Sequence, residues 1–552
     1  MGGARKLTGR INEHNARWYA LAASCFALFM AILDNLVVNV ALPTISKDLE
    51  ATTTQLQWIV SGYILVFASL QITAGGLGDR LGRKRWFLAG IVLFTTTSVL
   101  AALSQNVEML ITARALQGLG AAFILPLSLS IISEAFPPEE RGKALGIWSA
   151  VSVSGLALGP VVGGLLVQYA SWHWIFLVNV PIGIIAFLVS SAVVSESRDT
   201  SGTVATDVPG TILVTGAIAS LTWALIEAGN RGWSDSLIVG ALGVAAVLLV
   251  AFVLVELQTE RPMVPMRFFR SSTFAGANLV AFAISFLIAG IAFYGTLYLQ
   301  NIHGFSPVRS GMALLPMVAV MMVCSPVSGV MVSRIGASKL LAAGMIVAGI
   351  GTLLFMRADV HGAYVDLLPS YLVMGLGMSL IFAPMTTAVL NSVERGKSGV
   401  ASAVNGAIRE IGNAFGVALL GTVMNRAYQD YFSTDSQVRA LKSSPDAGPL
   451  APVLDVLGGG MSYGGRVIQD QSLFPGVPAG VASTLREVSS NAFMVGMDRA
   501  IVVSVAVVMV AAVVSWKLIS DEVVAAHPVE DLDLMPHGAE PESVPVYVER
   551  GD

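Results

Sequence analysis

Residues 18–40 read WYALAASCFALFMAILDNLVVNV, an apolar run whose single charged residue is Asp34. A helix of about 20 apolar residues crosses the hydrocarbon core of a bilayer. The run is too long for the apolar core of a signal peptide and has no small-residue cleavage site, so we predict a retained first membrane span. The basic segment before it, residues 1–17, is expected to be cytoplasmic.

The composition extends this interpretation to the whole chain. The 552 residues are 55% hydrophobic and only 12% charged, whereas soluble domains carry about 25% charged residues. Soluble enzymes and disordered or collagen-like chains are excluded on this basis. The only cysteines, Cys25 and Cys324, lie in apolar runs, which argues against a disulfide scaffold or a thiolate metal site. Thirteen further runs of spanning length begin and end near residues 55–75, 86–105, 109–134, 144–168, 173–194, 208–228, 235–255, 273–299, 308–332, 338–357, 365–391, 398–424 and 497–519.

The distribution of Lys and Arg supports fourteen spans with both termini in the cytoplasm. With the N-terminus inside, the inner side collects 19 basic residues and the short outer loops only four, namely Lys47, Arg231, Arg309 and Arg357. Short cytoplasmic loops are the ones that carry Lys and Arg in membrane proteins. We therefore predict an all-α, multi-pass protein of the cell (inner) membrane.

An internal repeat divides the chain. Residues 75–90 match residues 329–344 at an offset of 254, with glycine, arginine and alanine in common. Parallel repeats are typical of transporters built from two six-helix halves with the substrate site between them. The predicted parts are an N-terminal bundle at 18–200, two additional helices at 201–260, a C-terminal bundle at 261–519 that includes a long outer loop at 425–496, and an acidic, disordered tail at 520–552.

Few charges lie inside the predicted spans, and a buried ionisable group marks a functional candidate because its burial is costly. Asp34 in span 1 and Arg114 in span 4 are predicted at similar depth, so they could share a cavity or pair directly. An acid balanced between burial and a neighbouring Arg can load and release a proton. A static structural pair is the alternative. Arg409 and Glu410 in span 13 are the other clear candidates, and Glu410 is a second proton or cation site or a partner of Arg409.

Two glycine-rich stretches predict segments that change conformation during transport. Gly78, Asp79, Arg80, Gly82 and Arg83 follow span 2 in an inner loop, and the placement of an acid among glycines favours a cytoplasmic gate over a simple basic turn. Glycines spaced by four residues in span 5 permit close helix packing, and an embedded proline kinks the span. We expect this pliable helix at the contact between the two halves. Its residues are Gly155, Gly159, Pro160, Gly163 and Gly164.

Together these motifs resemble the fourteen-helix drug:proton antiporters of the major facilitator superfamily. The resemblance rests on residues 33–43, the loop at 75–85, Arg114 with Gln117, the span 5 glycines and residues 172–183. It implies the major facilitator fold, export rather than uptake, proton coupling at Asp34 and Arg114, and a conformational switch at Asp79 and Arg83. The second loop departs from the pattern because Ser333 stands where Asp79 does in the first.

The most concrete hypothesis is a proton-coupled antiporter that exports hydrophobic small molecules, cationic ones included, by alternating access. Rival hypotheses are export of an amphipathic lipid or endogenous metabolite, and a receptor or scaffold acting through the tail. No catalytic constellation, metal-ligand spacing or phosphate-binding loop is found, so we expect no enzyme activity, cofactor, metal or nucleic-acid partner. The partners are then the substrate, protons and the bilayer, and the protein is expected to be a monomer. Candidate cavity residues are Asn35, Asn39, Gln117, Phe293, Tyr294 and Arg409.

Overall fold

The protein is built of long helices. The computed structural model describes residues 13–51, 53–198, 207–260, 262–443, 447–459 and 477–521. All but the first two residues of the predicted disordered tail, and most of the N-terminal segment, lie outside these ranges. We number the long helices in chain order as α1 Glu13–Asp48, α2 Thr53–Leu81, α3 Arg83–Ala102, α4 Val107–Ala135, α5 Pro138–Tyr169, α6 Asn179–Val193, α7 Val208–Arg231, α8 Ser236–Gln258, α9 Ser272–Gly290, α10 Leu315–Ile335, α11 Ala337–Leu354, α12 Tyr364–Asn391, α13 Ser398–Thr434 and α14 Ala479–Leu518.

Short elements complete these helices. A single turn at Trp174–Leu177 leads into α6, and two π-helical turns prolong α9 through Ile291–Gly295 and Tyr298–Ile302. The remaining short helices are Met266–Arg270, Pro307–Met312, Phe355–Arg357, Arg395–Lys397, Ser436–Lys442 and Ala447–Gly459.

Thirteen helices of the described chain are long and apolar enough to cross a membrane. They coincide with thirteen of the fourteen predicted spans. The predicted fifth span corresponds to α5, a helix of 32 residues that is not among the thirteen. The span count of fourteen therefore stays a prediction, as does the placement of the termini.

The two halves repeat one packing scheme. In the N-terminal half α2 and α3 pack on α4, α1 packs on α5 and α6, and α3 packs on α6. In the C-terminal half α10 and α11 pack on α12, α9 packs on α13 and α14, and α11 packs on α14. Adding eight to each helix number of the first half gives the second, which is the arrangement expected of a parallel repeat.

The halves meet along two helix pairs that are also related by the repeat. One pair is α5 with α10 and the other is α2 with α13. At the first crossing, a Cβ on Gly142 or Gly329 would collide with the backbone carbonyl of the other glycine. Close backbone approach of this kind is how helices pack in a bilayer, where apolar side chains gain little by leaving lipid.

The two additional helices lie beside one of these contacts. α7 pairs with α8, and α7 also packs on both α2 and α13. Thr73 of α2 hydrogen-bonds Thr215 of α7 over 3.1 Å, and Trp233, just after α7, donates to Thr422 of α13 over 2.8 Å. The inserted pair therefore touches both halves.

Much of the predicted outer loop at 425–496 is helical, which corrects the expected span ends. α13 continues ten residues beyond 424 to Thr434, and α14 begins at Ala479 rather than at 497. The extensions pack together through a 2.8 Å hydrogen bond between Tyr428 and Ser489. Leu485, Val488 and Ala492 form a buried stripe on α14, whereas Glu487 is exposed. Charges on the outer face lowered the local hydropathy and hid this helix from the sequence interpretation.

Candidate functional site

The predicted charge pair exists in the N-terminal half. Arg114 of α4 donates to Asp34 of α1 through Nη1, and both side chains have 0% exposure. The two residues therefore pair directly, one of the two arrangements that the sequence left open. Removing one partner of such a pair leaves an uncompensated charge in a site without water, which typically costs 3–5 kcal/mol.

Amide side chains complete the coordination of the Asp34 carboxylate. Its Oδ1 accepts from Gln117 Nε2 at 3.0 Å and from Asn179 Nδ2 at 2.7 Å. Ser98 Oγ accepts from both amides, at 2.7 Å and 3.3 Å. Sequence reasoning gave no role to Asn179 or Ser98. A single small polar residue in an apolar run carries no signal of its own, although Asn179 lies within the motif at residues 172–183.

The guanidinium of Arg114 is held on an aromatic face. It lies 4.4 Å from the centroid of the Tyr63 ring, and its Nε donates to the Ile59 carbonyl at 3.2 Å. Its Nη1 also donates to Gln117 Oε1 at 2.9 Å. Its Nη2 and Asn179 Oδ1 are buried without a hydrogen-bond partner in the described chain. The cluster of Asp34, Ser98, Arg114, Gln117 and Asn179, which we call the charge cluster, therefore retains spare donor and acceptor capacity.

The predicted gate residues form a second buried cluster that joins the halves. Asp79 Oδ1 accepts from Arg83 Nε at 2.7 Å, and Asp79 Oδ2 accepts from the Val400 backbone N–H at 2.8 Å. Val400 lies in the first turn of α13, where free N–H groups and the helix dipole favour an anion. Arg83 Nη2 donates to the Gly396 carbonyl at 2.9 Å. We call Asp79 and Arg83, with their partners Gly396 and Val400, the gate cluster.

Close contacts and backbone conformation explain why glycine occupies several positions of this loop. A Cβ on Gly75 would lie 2.6 Å from Cβ of Ala403 and from the Gly399 carbonyl oxygen of α13, so Gly75 lets α2 and α13 approach closely. Gly82 has φ +118°, a conformation that glycine adopts readily. Gly78 packs against Leu127 of α4. Arg80 donates to the Pro262 carbonyl at 3.0 Å, outside the contact between Asp79 and α13.

The matching loop of the C-terminal half has the same glycine turn, but Ser333 makes no bond to the other half among the described residues. Gly336 has φ +95°, which matches Gly82. Ser333, at the position of Asp79, is exposed and bonds the Val330 carbonyl three residues away.

An acid that follows the sixth helix of each half caps the helix after the turn. Glu196 accepts from the backbone N–H groups of Lys84 and Arg85 at 3.1 and 3.2 Å. Asp521 accepts from Ser338 N at 2.8 Å. The repeat therefore extends beyond the residues that the sequence comparison aligned.

The span 5 glycines face a partner other than the expected one. Gly155, Gly159 and Gly163 of α5 meet Ile32, Leu36 and Val37 of α1, within the same half. The contact of α5 with the other half is made instead by Gly142 and Gly146 against α10, and by Gly164 against Val308. The helix α5 thus lies at the contact between the halves, as expected, but three of its ladder glycines pack within their own half, because their spacing predicted close packing without identifying the partner. The side chain of Pro160 is outside the described set.

The remaining candidates divide by exposure. Asn35, Phe293, Arg409 and Glu410 are half-buried. Arg409 lies 5.3 Å from the ring centroid of Phe382, and the Glu410 carboxylate acts electrostatically on Tyr63, the ring beneath Arg114. Tyr294 and Gln117 are fully buried at 0% exposure, so neither is open to a cavity in this conformation. The side chain of Asn39 is not among those described.

Comparisons with known proteins agree with this arrangement. Residues 24–417 match the Major Facilitator Superfamily. The chain is 34% identical over 502 residues to the tetracenomycin C resistance and export protein of Streptomyces glaucescens, covering 90% of this chain and 91% of that protein. It is 36% identical over 405 residues to the multidrug resistance protein Stp of Mycobacterium tuberculosis, covering 73% and 75%.

Solved structures show the same fold at low sequence identity. A double Trp mutant of XylE is 14% identical, with a TM-score of 0.58 over 92% of this chain and 98% of that one. The human organic anion transporter MFSD10 is also 14% identical, with a TM-score of 0.54 over 74% and 93%. The chain therefore belongs to the Major Facilitator Superfamily and is a multi-pass transporter of the cell membrane rather than an enzyme.

Proposed function

We propose that this transporter is a proton-coupled antiporter that exports hydrophobic small molecules, cationic ones included. The observation that carries the proposal is the charge cluster, in which one fully buried carboxylate is satisfied by a guanidinium and two amides. Burying a carboxylate in a membrane protein costs free energy, so such a residue is by default a candidate for function. Relatives named for resistance to tetracenomycin C and puromycin, and for multidrug resistance, support drug export.

The donors around Asp34 suit both of its protonation states. When ionised, the carboxylate accepts from Arg114, Gln117 and Asn179. When protonated, it needs an acceptor, and the Oδ1 of Asn179, which has no partner in the described chain, provides one after a flip of the amide. Arg114 keeps its bonds to Gln117 and to the Ile59 carbonyl in either state. Protonation of Asp34 leaves the buried Arg114 guanidinium without its counter-charge, and the bonds that Arg114 keeps to Gln117 and Ile59 offset part of that cost.

The gate cluster supplies the second half of the proposed cycle. Asp79 and Arg83 fasten the N-terminal half to α13 in this conformation, and alternating access requires that these bonds break and re-form. Loading a proton at Asp34 removes a charge from the N-terminal half and changes how α1 and α4 hold each other. The half-buried Glu410 of α13 acts electrostatically on Tyr63 and is a candidate second proton site.

The test measures proton movement caused by substrate. Purified protein in proteoliposomes with an internal pH dye is exposed in turn to ethidium, puromycin and tetracenomycin C. We expect at least one of the compounds to drive proton flux opposite to its own movement, with no flux in protein-free liposomes. Transport of a compound without any accompanying proton flux would contradict antiport. Flux driven by a lipid amphiphile and by none of the drugs would support the rival lipid hypothesis.

A further inference from the structure

A second pair of acids lies buried away from the charge cluster, where the additional helices approach the gate loop. Asp207 immediately precedes α7 and Glu256 lies in the last turn of α8; they are 7% and 2% exposed. Asp207 Oδ1 accepts from the Gly210 backbone N–H at 2.8 Å. Glu256 Oε1 accepts from the Val264 backbone N–H at 3.3 Å. One oxygen of each carboxyl group is therefore satisfied by the backbone.

The second oxygen of each acid lacks a donor among the described residues. Asp207 Oδ2 and Glu256 Oε2 are buried and accept no hydrogen bond from the described chain. The two carboxyl groups lie against the same backbone position and act on each other electrostatically. They converge above Gly210, where a Cβ would collide with Asp207 and would lie 2.9 Å from Glu256 Oε1. Two carboxylates this close cannot both remain ionised at low cost, and one proton between them removes both the repulsion and the missing donor.

Within the described ranges, the charged side chains near the pair leave a proton as the best-fitting occupant. Arg80 of α2 acts on Glu256 electrostatically, but its Nη2 donates to the Pro262 carbonyl. The other residues of α2 that line this region, Thr73, Gly76 and Leu77, are uncharged, and the segment that follows Pro262 contributes the Val264 backbone N–H. No third acid, histidine or cysteine within the described ranges completes a metal-binding set here.

We propose that Asp207 and Glu256 share one proton and form a proton-binding site separate from Asp34, at the base of the additional helices. The site does not rest on the coupling role of Asp34. A small cavity lined by Thr73, Arg80, Asp207, Thr211 and Met263 reaches one side of the pair and gives the proton access.

The shared proton also links the additional helices to the gate loop. Glu256 holds the chain at Val264, and Arg80 holds the same segment at Pro262. Loss of the proton leaves two facing negative charges, which pushes the base of α8 away from α7. The segment between Pro262 and Val264 then shifts, and the Pro262 carbonyl moves away from Arg80. The protonation state of the pair, which follows the pH on its side of the membrane, thereby changes the conformation of the loop that contains Asp79.

The experiment counts protons on the full-length protein in nanodiscs. Wild type, Glu256→Gln and Asp207→Asn are titrated from about pH 6 to about pH 9, with Glu227→Gln as the matched control because Glu227 lies at the opposite end of α7. We expect each pair variant to release about one proton fewer than wild type and the control to release the same number as wild type. Either pair variant gives the result, so one that fails to fold does not prevent the test.

Thermal unfolding and salt substitution provide independent readouts. A proton held by the folded protein stabilises it at low pH, and this stabilisation is lost as the pH rises and the proton leaves. The melting temperature of wild type should therefore fall between neutral and alkaline pH more steeply than that of Glu256→Gln. Equal proton release by wild type and both variants would overturn the proposal. So would stabilisation of wild type, but not of the variants, when Na⁺ or K⁺ replaces choline at constant pH, because a metal cation would then occupy the site.

Discussion

The charge cluster and the gate cluster contain the same chemistry in different places. Each pairs an aspartate with an arginine in a fully buried setting. The residues that hold Asp34 all come from the N-terminal half, whereas Asp79 and Arg83 bind Val400 and Gly396 of the other half. A pair enclosed in one half contributes to the stability of that half and can change charge as a unit. A pair that bridges the halves sets the equilibrium between conformations.

The largest effect should follow from opening the charge cluster. Arg114→Ala leaves Asp34 buried and without its cation, so we expect a loss of about 3–5 kcal/mol of stability and no transport. The measurement is thermal unfolding in detergent together with dye efflux from cells. Adding Asp34→Asn should restore most of the stability and none of the proton coupling. A double variant as unstable as Arg114→Ala would show that Arg114 acts through packing instead.

The gate cluster should respond in conformation rather than in stability. Asp79→Asn removes the carboxylate that binds the first turn of α13, which we expect to shift the equilibrium towards opening at this end by about 1–3 kcal/mol. Spin labels at the exposed positions Arg85 and Arg270, with Cys25 and Cys324 replaced, report the distance by electron resonance. A longer distance population should grow in the variant. An unchanged distance distribution combined with a lower melting temperature would show that Asp79, like Asp34, stabilises the fold and does not set the conformational equilibrium.

The smallest effect is expected at the position that matches Asp79 in the repeat. Ser333 is exposed and its hydroxyl bonds only within its own turn. Ser333→Ala should change stability by less than about 0.5 kcal/mol and leave the label distances unaltered. Efflux of ethidium by this variant, compared with Asp79→Asn, measures the asymmetry between the two loops directly. A defect as large as that of Asp79→Asn would mean that a second gate operates in the C-terminal half.

The sequence predicted the features that depend on local pattern. Apolar runs located thirteen helices of the described chain that are long enough to span a membrane, the repeat predicted two similar halves, and counting residues from the predicted span ends put Asp34 and Arg114 at similar depth. These inferences needed only helix geometry and the cost of burying charge.

Features that depend on which helices become neighbours were not accessible in this way. Val400, which binds Asp79 from the other half, lies 321 residues away along the chain. The glycine ladder of α5 packs on α1 rather than across the halves. Asn179 was missed because a single amide in an apolar run reads like any other packing residue. The buried pair of Asp207 and Glu256 was missed because both residues lie at helix ends, where acids are ordinary.

The most direct test of the central claim is substrate accumulation by Asp34→Asn in inside-out vesicles. With an acidic lumen, wild type should concentrate ethidium inside, and Asp48→Asn serves as a control at the exposed end of the same helix. The account predicts that Asp34→Asn loses pH-driven accumulation about tenfold or more, while it still exchanges labelled for unlabelled ethidium without a pH gradient. Undiminished accumulation by Asp34→Asn would contradict the assignment of Asp34 as the coupling site.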